Sequence, residues 1–324
     1  MSEKLQLNAK ILPSQISQRL DQALVFLFPD YSRSQIKQWI LNNRVQVNGE
    51  YVNSPRKKVA GNEKVLINLL IKNNICAEAE NIPLNIVYED NAILVINKPS
   101  NLVVHPGINN PNGTLLNTLL FHYPEIIHVP RAGIVHRLDK GTTGLIVVAK
   151  TISSHLYLSQ AIKNRKVIRE YDAIVNGLIQ CSGIVNQPVA RHPNNRIRMA
   201  INKIGKPAIT YYKIIEKFRR HTRVRLRLET GRTHQIRVHM AHINHHVVGD
   251  PVYYGSVRSL KGFSESLITM LKNFNRQALH ARKLCLYHPI TGDLMEWCIG
   301  LPTDMLTLID ILKKDSVMKV TTII

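Results

Sequence analysis

The sequence has no long apolar segment and little negative charge. No apolar run approaches the roughly 18 residues of a membrane-spanning helix, and the first ten residues lack the apolar core of a signal peptide. These absences predict a cytoplasmic protein without a membrane partner. Asp and Glu number only 22 against 43 Lys and Arg, which gives a formal net charge of +21. An excess of this size indicates a polyanionic partner.

Motifs for nucleotide cofactors and metals are also missing. The four cysteines include no CxxC pair, so no disulfide framework is indicated. No GxGxxG or GxxxxGK[ST] segment is present, which argues against an enzyme with a nucleotide cofactor. His239, His242 and His246 would share one face of a helix, but the Glu of an HExxH zinc site is absent. We therefore predict no metal and interpret these histidines as core or nucleic-acid contacts.

The basic residues are clustered, which favours a binding surface over a general bias towards Lys, Asn and Ile. Residues 189–240 contain 14 Lys and Arg but only two acidic residues. Arg223, Arg225 and Arg227 alternate there with apolar residues, which predicts a strand with one apolar and one guanidinium face. That face is either solvated or bound to phosphate. The THQIR segment at 233–237 follows closely in the sequence, and we therefore expect these arginines and Arg232 to contact phosphate.

One short segment combines a carboxylate with basic neighbours. Asp139 lies within the nine residues HRLDKGTTG, numbered 136–144, between apolar runs at 133–135 and 145–149 that are typical of strands. A turn between two strands holds a carboxylate rigidly and can point it into a cleft. The alternative is an ordinary turn, because Asp before Gly and Thr is common in turns.

Residues 136–144 resemble the HRLDxxTSG signature of the RNA pseudouridine synthases, which act on structured RNA. The resemblance runs from about residue 82 to residue 313, and the nearest branch modifies large-subunit ribosomal RNA. Gly141 stands where that branch usually has an acid. Glycine loses more backbone freedom on folding than other residues do, so this departure is expected to loosen the turn. Thr143 stands where many relatives have Ser. Other segments match in order and spacing: VINKP at 95–99, LVVHPG at 102–107, REY at 169–171, GKPA at 205–208 and TGRTHQIRVH at 230–239.

The resemblance implies a reaction and its residues. Pseudouridine formation breaks the C1′–N1 bond of uridine and joins C5 to C1′, so no cofactor is implied. Asp139 matches the catalytic Asp, Arg237 its basic partner and Tyr171 the active-site tyrosine. The carboxylate either attacks the substrate covalently or abstracts the 2′ proton, and the sequence leaves both routes open. Arg137 matches the arginine that replaces the flipped nucleotide, whereas His136 is a substrate contact or a structural group in the turn.

The resemblance also implies a substrate, namely uridines of 23S RNA in the helix 69 stem-loop, free or within an assembling 50S subunit. We expect a monomer. An RNA-binding ribosome-assembly factor with secondary or lost catalysis would carry the same basic surfaces. The presence of Asp139, Tyr171 and Arg237 together favours an enzyme, because a carboxylate repels phosphate. Metal-dependent RNA hydrolysis is a third hypothesis, and it would require activity that a chelator abolishes.

Periodicity and composition predict a flexible N-terminal arm (1–13), a small α+β RNA-binding domain (14–75), a linker (76–83) and a catalytic domain (84–324). The small domain should contain a helix through Ile16 and Leu27, a second helix over 35–42 capped by Ser32, and a hairpin at Asn48-Gly49. These pieces resemble the S4 RNA-binding domain. Five basic residues are expected to hold phosphate without reading bases: Arg33, Lys37, Arg56, Lys57 and Lys58.

Short apolar runs with few intervening helices predict an α+β catalytic domain on a mixed, mostly antiparallel sheet. The expected strands lie at 86–88, 92–96, 145–149, 171–175, 210–215, 224–228, 278–287 and 295–299, and the expected helices at 153–165, 234–245 and 304–314.

Overall fold

A computed structural model describes residues 3–28, 31, 33–71, 77–107, 110–195, 197–253 and 262–317. Contacts divide the chain into two units, residues 1–76 and residues 77–324. None of the helices in the described part of the chain combines the length and apolarity that crossing a lipid bilayer requires.

As far as the structure describes it, the first unit is a four-stranded antiparallel sheet with two α-helices. Its elements are β1 (Glu3–Lys10), α1 (Leu20–Leu27), α2 (Arg33–Leu41), β2 (Val45–Val47), β3 (Glu50–Tyr51) and β4 (Lys64–Ile71). The strand order is β1-β4-β2-β3. Leu24, Ile36 and Ile67 belong to its buried core. Asn48 and Gly49 have φ values of 53° and 89°, as a type I′ turn requires, so the predicted hairpin is confirmed.

Two details of this unit differ from the prediction. Residues 3–10 form a strand instead of a flexible arm, because β1 pairs with β4 from Glu3 opposite Ile71 to Lys10 opposite Lys64. Ile16 is exposed and precedes α1, because Ser17 has a left-handed φ of 64° that a helix cannot contain. The predicted cap, Ser32, lies outside the described residues.

In the described part of the chain, the second unit contains eleven strands: β5 (Ile86–Glu89), β6 (Ile93–Lys98), β7 (Thr143–Ala149), β8 (Ile168–Asn176), β9 (Gly183–Asn186), β10 (Val189–Arg191), β11 (Met199–Ile201), β12 (Ile209–Lys217), β13 (His221–Leu228), β14 (Leu279–Tyr287) and β15 (Leu294–Cys298). Nine of them form one sheet in the order β5-β6-β7-β14-β8-β13-β12-β9, with β15 beside β14. Among the described strands of this sheet, neighbours are antiparallel except β7 with β14. A separate ribbon contains β10 and β11. This arrangement confirms the predicted α+β fold and mostly antiparallel sheet.

Among the residues that the structure describes, five α-helices accompany this sheet: α3 (Leu115–His122), α4 (Ile152–Lys163), α5 (Gln235–His242), α6 (Glu265–Asn273) and α7 (Thr303–Val317). The three predicted helices correspond to α4, α5 and α7. Helix α3 escaped prediction because its first six residues are all buried, so no polar face produces a helical period. For α6 a signal was available, since the Ser264 side chain caps it by accepting the amide of Leu267.

The segment before Asp139 is not a strand. Within residues 133–135, Ile134 forms a single bridge with Val148 of β7. Gly133 has φ 74°, and a Cβ there would collide with the carbonyl oxygen of Ala149. The chain therefore crosses β7 closely at a glycine before it turns into that strand, and the expected turn between two strands is wrong.

The predicted linker is partly fixed to the second unit. Residues 77–83 contain neither helix nor strand. Asn117 of α3 nevertheless donates from Nδ2 to the Glu78 carbonyl (2.7 Å), and the Glu80 amide donates to the Asn117 carbonyl (3.0 Å). These bonds hold the end of the linker against α3.

Candidate active site

The turn that carries Asp139 is held by side chains from distant parts of the chain. Lys98, at the end of β6, donates from Nζ to the Lys140 carbonyl (3.2 Å). Arg276, just before β14, donates from Nη1 to the Gly141 carbonyl (3.2 Å). The Asp139 side chain keeps 15% of its surface exposed, so the carboxylate is fixed in place and still accessible.

Lys98 is a buried cation beside this turn that sequence reasoning left without a role. Its side chain is fully buried, and Nζ also donates to the carbonyl oxygens of Pro99 (2.7 Å) and Leu102 (2.9 Å). Burial lowers the pKa of Lys98 to about 7, and the charge of Asp139 opposes that shift. The signal in the sequence was a Lys two residues after the apolar run at 92–96.

Gly141 leaves space for another side chain, that of Gln277, which forms a hydrogen bond to the turn. A Cβ at this position would lie 2.7 Å from Oε1 of Gln277. The same Gln277 donates from Nε2 to the Thr142 hydroxyl (2.9 Å). A larger residue at 141 would have to displace a buried side chain that bonds the turn.

Arg237 of α5 links Asp139 to a second carboxylate. Its Nη1 donates to Asp139 Oδ2 (2.9 Å), while Nε and Nη2 donate to the two oxygens of Asp250 (2.6 and 2.8 Å). Burial lowers the pKa of Arg237, but bonds to Asp250 and the charge of Asp139 more than offset it and raise the pKa. The predicted pairing of Asp139 with Arg237 is present in this geometry, and Asp250 was missed.

Both carboxylate oxygens of Asp250 accept hydrogen bonds in this arrangement. It is buried, and its Oδ1 also accepts the amides of Val252 (2.9 Å) and Tyr253 (3.0 Å). Burial opposes its ionisation, yet the bonds from Arg237 hold the pKa of Asp250 below its ordinary value. A buried arginine needs such a partner, and Asp250 is the first acidic residue after Arg237 in the chain.

Tyr171 lies in β8 on the side of the sheet that faces Asp139. Burial raises the pKa of its hydroxyl, the Arg169 charge opposes this, and the Asp139 charge adds to it. The residue as a whole is 5% exposed. The predicted tyrosine lies on the sheet face that α5 covers, and Arg237 of α5 bonds Asp139.

His136 and Arg137, the two predicted base-flipping residues, differ in their surroundings. His136 accepts the amide of Val147 at Nε2 (3.1 Å), and burial lowers its pKa to about 3. The bond to β7 is the contact expected of a structural group in the turn, one of the two alternatives. Arg137 is exposed, and its guanidinium makes no hydrogen bond or ion pair with the described part of the chain. It is available to a ligand.

Comparison with known proteins decides the family. A family model described as RNA pseudouridylate synthase matches residues 92–242, and an S4 domain model matches residues 18–65. The chain is 58% identical over 316 residues to ribosomal large subunit pseudouridine synthase D of Yersinia pestis, which covers 98% of this chain and 97% of the relative. This chain belongs to the RNA pseudouridine synthase family.

Further similarities agree with this assignment. The relative of the same name from Salmonella typhimurium is 57% identical over 315 residues, with 97% of each chain covered. The solved structure of human RNA pseudouridylate synthase domain containing 1 has a TM-score of 0.53 and 26% identity, covering 68% of this chain and 85% of that one. The protein is thus an enzyme, a pseudouridine synthase with an S4 domain.

The arginines of β13 lie on the sheet face opposite the synthase's Asp139 site. Arg225 pairs with Asp172, whereas the adjacent Leu226 pairs with Tyr171, and successive side chains of a strand point to opposite faces. Helix α5 lies against the Leu226 face of the sheet. Its Gln235 Nε2 donates to the Thr210 hydroxyl (3.0 Å), and Thr210 pairs with Leu228, which points to the same face as Leu226. Arg223, Arg225 and Arg227 are close to the THQIR segment in sequence but lie on the opposite face of the sheet.

Three guanidiniums on that face surround one buried carboxylate. Asp172 accepts Arg223 Nη2 (2.7 Å) and Arg225 Nε (2.9 Å), and Arg282 Nη1 lies 3.5 Å away. Arg227 is exposed, with its guanidinium 4.8 Å from the centre of the Tyr211 ring. Arg232 belongs to the α5 side and donates from Nε to the Pro207 carbonyl (3.2 Å).

The S4 unit of the synthase presents most of its predicted bases to solvent. Lys37, Arg56, Lys57 and Lys58 are exposed. Arg33 is half-exposed and bonds the buried Asp21 from Nε (3.1 Å) and Nη2 (2.9 Å). Four of the five predicted side chains are therefore unobstructed, and the fifth is fixed by a carboxylate.

The histidines do not form the cluster considered from the sequence. Helix α5 ends at His242, so His246 lies beyond it. Both ring nitrogens of His239 have partners, Thr210 Oγ1 (2.9 Å) and the Gln187 carbonyl (3.0 Å). In the described part of the chain, no group of three or more His, Cys, Asp or Glu is arranged to hold a metal.

Replacing Asp172 with Ala should destabilise the synthase by about 3–5 kcal/mol, because guanidiniums would be left without their buried partner. Burial opposes ionisation of Asp172, but bonds from Arg225 and Arg223 keep its pKa below the ordinary 3.8. Its contribution is therefore present above pH 3.8 and lost as the pH falls through the lowered value. Urea unfolding would measure both effects. Asp293→Ala, at an exposed aspartate, is the control; equal midpoints for the two variants would contradict the account.

Proposed function

We propose that this synthase converts specific uridines of large-subunit ribosomal RNA to pseudouridine, with Asp139 as the group that acts on the nucleotide. The observation that carries the proposal is the accessible Asp139 carboxylate, bonded to Arg237 at 2.9 Å and 15% exposed. The substrate follows from relatives at 57–58% identity that are named ribosomal large subunit pseudouridine synthase D. By the same likeness we propose the helix 69 stem-loop as the target.

The proposed chemistry needs one ionised carboxylate. Arg237 pairs with Oδ2 of Asp139, which leaves Oδ1 for the substrate. That oxygen either forms a bond to the uridine or removes its 2′ proton, and both routes end with C5 joined to C1′. Tyr171 stacks on the uracil and takes part in proton transfer at C5.

The target nucleotide must leave its stack to reach Asp139. This costs a few kcal/mol and is cheapest in a loop or weak stem. Arg137 is exposed two residues before the acid, so we assign it to the position that the flipped base vacates. His136 holds the turn through Val147 (3.1 Å) and contributes by shaping the loop.

The remaining basic residues hold the RNA backbone. We assign phosphate contacts to Lys37, Arg56, Lys57 and Lys58 of the S4 unit, and to Arg227 and Arg232, because phosphate contacts supply affinity without reading sequence. We assign phosphate contacts to three further arginines as well, because each keeps N–H donors that do not bond Asp21 or Asp172. These are Arg33, Arg223 and Arg225. We also propose a cytoplasmic monomer that acts on the assembling 50S subunit, with no cofactor.

The proposal is tested on a transcript of large-subunit RNA. The purified protein should form pseudouridine at a small set of uridines in helix 69, detected by position-specific sequencing after chemical labelling. A transcript with that stem-loop deleted is the matched control and should gain none. Modification that ignores the deletion would place the substrate elsewhere in the RNA, and no modification of either transcript would contradict the proposal for free RNA.

The S4 contacts give a separate expectation. Changing Lys57 and Lys58 to Gln should lower the slope of log affinity against log salt by about one to two, since each lost phosphate contact removes about 0.7–0.9. The control is Lys10→Gln with Lys64→Gln, an exposed pair on β1 and β4 with the same charge change. Filter binding across a salt series measures both. Identical slopes in the two double variants would remove the Lys57 and Lys58 assignment.

A further inference from the structure

The two oxygens of the Asp139 carboxylate have different surroundings. Oδ2 is bonded by Arg237. Oδ1 accepts no hydrogen bond from the described residues, and Nε2 of His234 lies 3.9 Å from it. This separation is too long for a hydrogen bond. The imidazole therefore faces Oδ1, the oxygen that is proposed to act on the substrate, without forming a hydrogen bond to it.

The His234 ring is held by a hydrogen-bonded chain. Its Nδ1 lies 2.9 Å from the Tyr253 hydroxyl, which in turn accepts the amide of Met199 (2.7 Å). Because that hydroxyl already accepts a proton donor, its own proton is free to be donated to Nδ1. A neutral imidazole that accepts at Nδ1 carries its hydrogen on Nε2.

The charge of Asp139 selects the same tautomer. A lone pair on Nε2 would face the lone pairs of Oδ1, whereas an N–H there is attracted to them. Burial lowers the pKa of His234 and thus favours the neutral ring, although the Asp139 charge opposes the shift. Both neighbours of the ring thus place a hydrogen-bond donor beside Oδ1.

The backbone at His234 has a strained conformation. His234 has φ 56° and ψ 18°, a left-handed conformation, immediately before α5. A residue other than Gly in this region is strained, and such strain is found at functional sites. Tyr253 is fixed as well, because its amide bonds Asp250 and the Arg237 guanidinium lies 5.0 Å from its ring centre. Asp250 thus supports both Arg237 and the partner of His234.

We propose that His234 is a catalytic residue whose Nε2–H donates a hydrogen bond to a uracil carbonyl oxygen of the target uridine. The inference rests on the proposed role of Asp139. A nucleotide that reacts at Oδ1 must approach within about 3 Å, which brings it into the gap between Oδ1 and Nε2. When the C1′–N1 bond breaks, negative charge develops on the uracil carbonyls, and a fixed donor stabilises it. The proton stays on Nε2 throughout.

The test compares two amide side chains at position 234 in single-turnover reactions on the stem-loop RNA. His234→Asn tolerates the left-handed backbone but is too short to reach, and it should slow the reaction about 30- to 100-fold. His234→Gln places an amide N–H farther out and should recover at least fivefold of that loss. RNA affinity should stay within threefold of wild type for both. An Asn variant within threefold of the wild-type rate, or Asn and Gln variants equally slow, would overturn the proposal.

A sulfur-substituted substrate separates contact from packing. Replacing a carbonyl oxygen of the target uracil with sulfur, at position 2 or 4, weakens hydrogen-bond acceptance. At one position the wild-type enzyme should slow about tenfold, and His234→Asn should lose that sensitivity. Equal sulfur effects in both enzymes at both positions would mean that His234 does not touch the uracil. Asp139→Asn is assayed in parallel. Turnover by that variant would contradict the proposed function itself. An inactive Asp139→Asn, together with a His234→Asn that reacts at the wild-type rate, would contradict only this inference.

Discussion

Replacing Asp139 with Asn is expected to lower pseudouridine formation by roughly four orders of magnitude, as losses of a reacting group in other enzymes do. Asn has nearly the same shape as Asp, so the turn held by Lys98 and Arg276 should persist. The amide has no negative charge with which to attack the nucleotide or remove its proton. Single-turnover assays at saturating RNA measure the loss.

RNA affinity is the internal control for this variant. We expect equal or slightly tighter binding, because the substitution removes a carboxylate that repels phosphate. The thermal midpoint should remain close to that of wild type. A variant that retains turnover within tenfold of wild type would show that another group performs the reaction.

Replacing Arg237 with Lys is the substitution with the second-largest expected effect. The guanidinium bonds Asp139 and both oxygens of Asp250 at once, and a lysine ammonium cannot reproduce that planar arrangement. We expect a loss of about 100-fold in the single-turnover rate, of the size seen when a fixed electrostatic contact is removed. Arg232→Lys, in the same segment, should leave the rate at saturating RNA nearly unchanged.

The partner variant Asp250→Asn tests the same network from its buried end. Its side chain is fully buried, and removing its charge should cost about 3–5 kcal/mol of stability in addition to slowing the reaction. Asp310→Asn, at an exposed residue of α7, is the matched control. The rate losses of Arg237→Lys and Asp250→Asn should be far from additive, because both disturb one network. Additive losses would contradict the described coupling.

The sequence predicted the type of fold because the strands carry clear signals. Short apolar runs became β5 to β8 and β12 to β15, and the Asn48-Gly49 turn appeared where expected. The failures have physical causes. The first ten residues give no sign that β1 pairs with β4 across more than 50 residues of chain, and α3 is buried on too many sides to show a helical period.

The site was predicted where residue type determines the chemistry and missed where only folding brings residues together. Asp139 and Arg237 are 98 residues apart and meet at 2.9 Å. Asp250 and Tyr253 have no motif of their own, and they matter because Arg237 and His234 are bonded to them. The strand alternation at 223–228 predicted two faces but could not indicate which one α5 covers.

The most direct measurement is the pseudouridine map of ribosomal RNA from cells that lack this gene, with wild type or Asp139→Asn supplied in its place. The account predicts that a few sites in large-subunit RNA, in helix 69, disappear on deletion and return only with wild type. Restoration by Asp139→Asn would contradict the assigned catalytic residue. A map that deletion leaves unchanged would contradict the ribosomal substrate and favour an RNA-binding assembly factor.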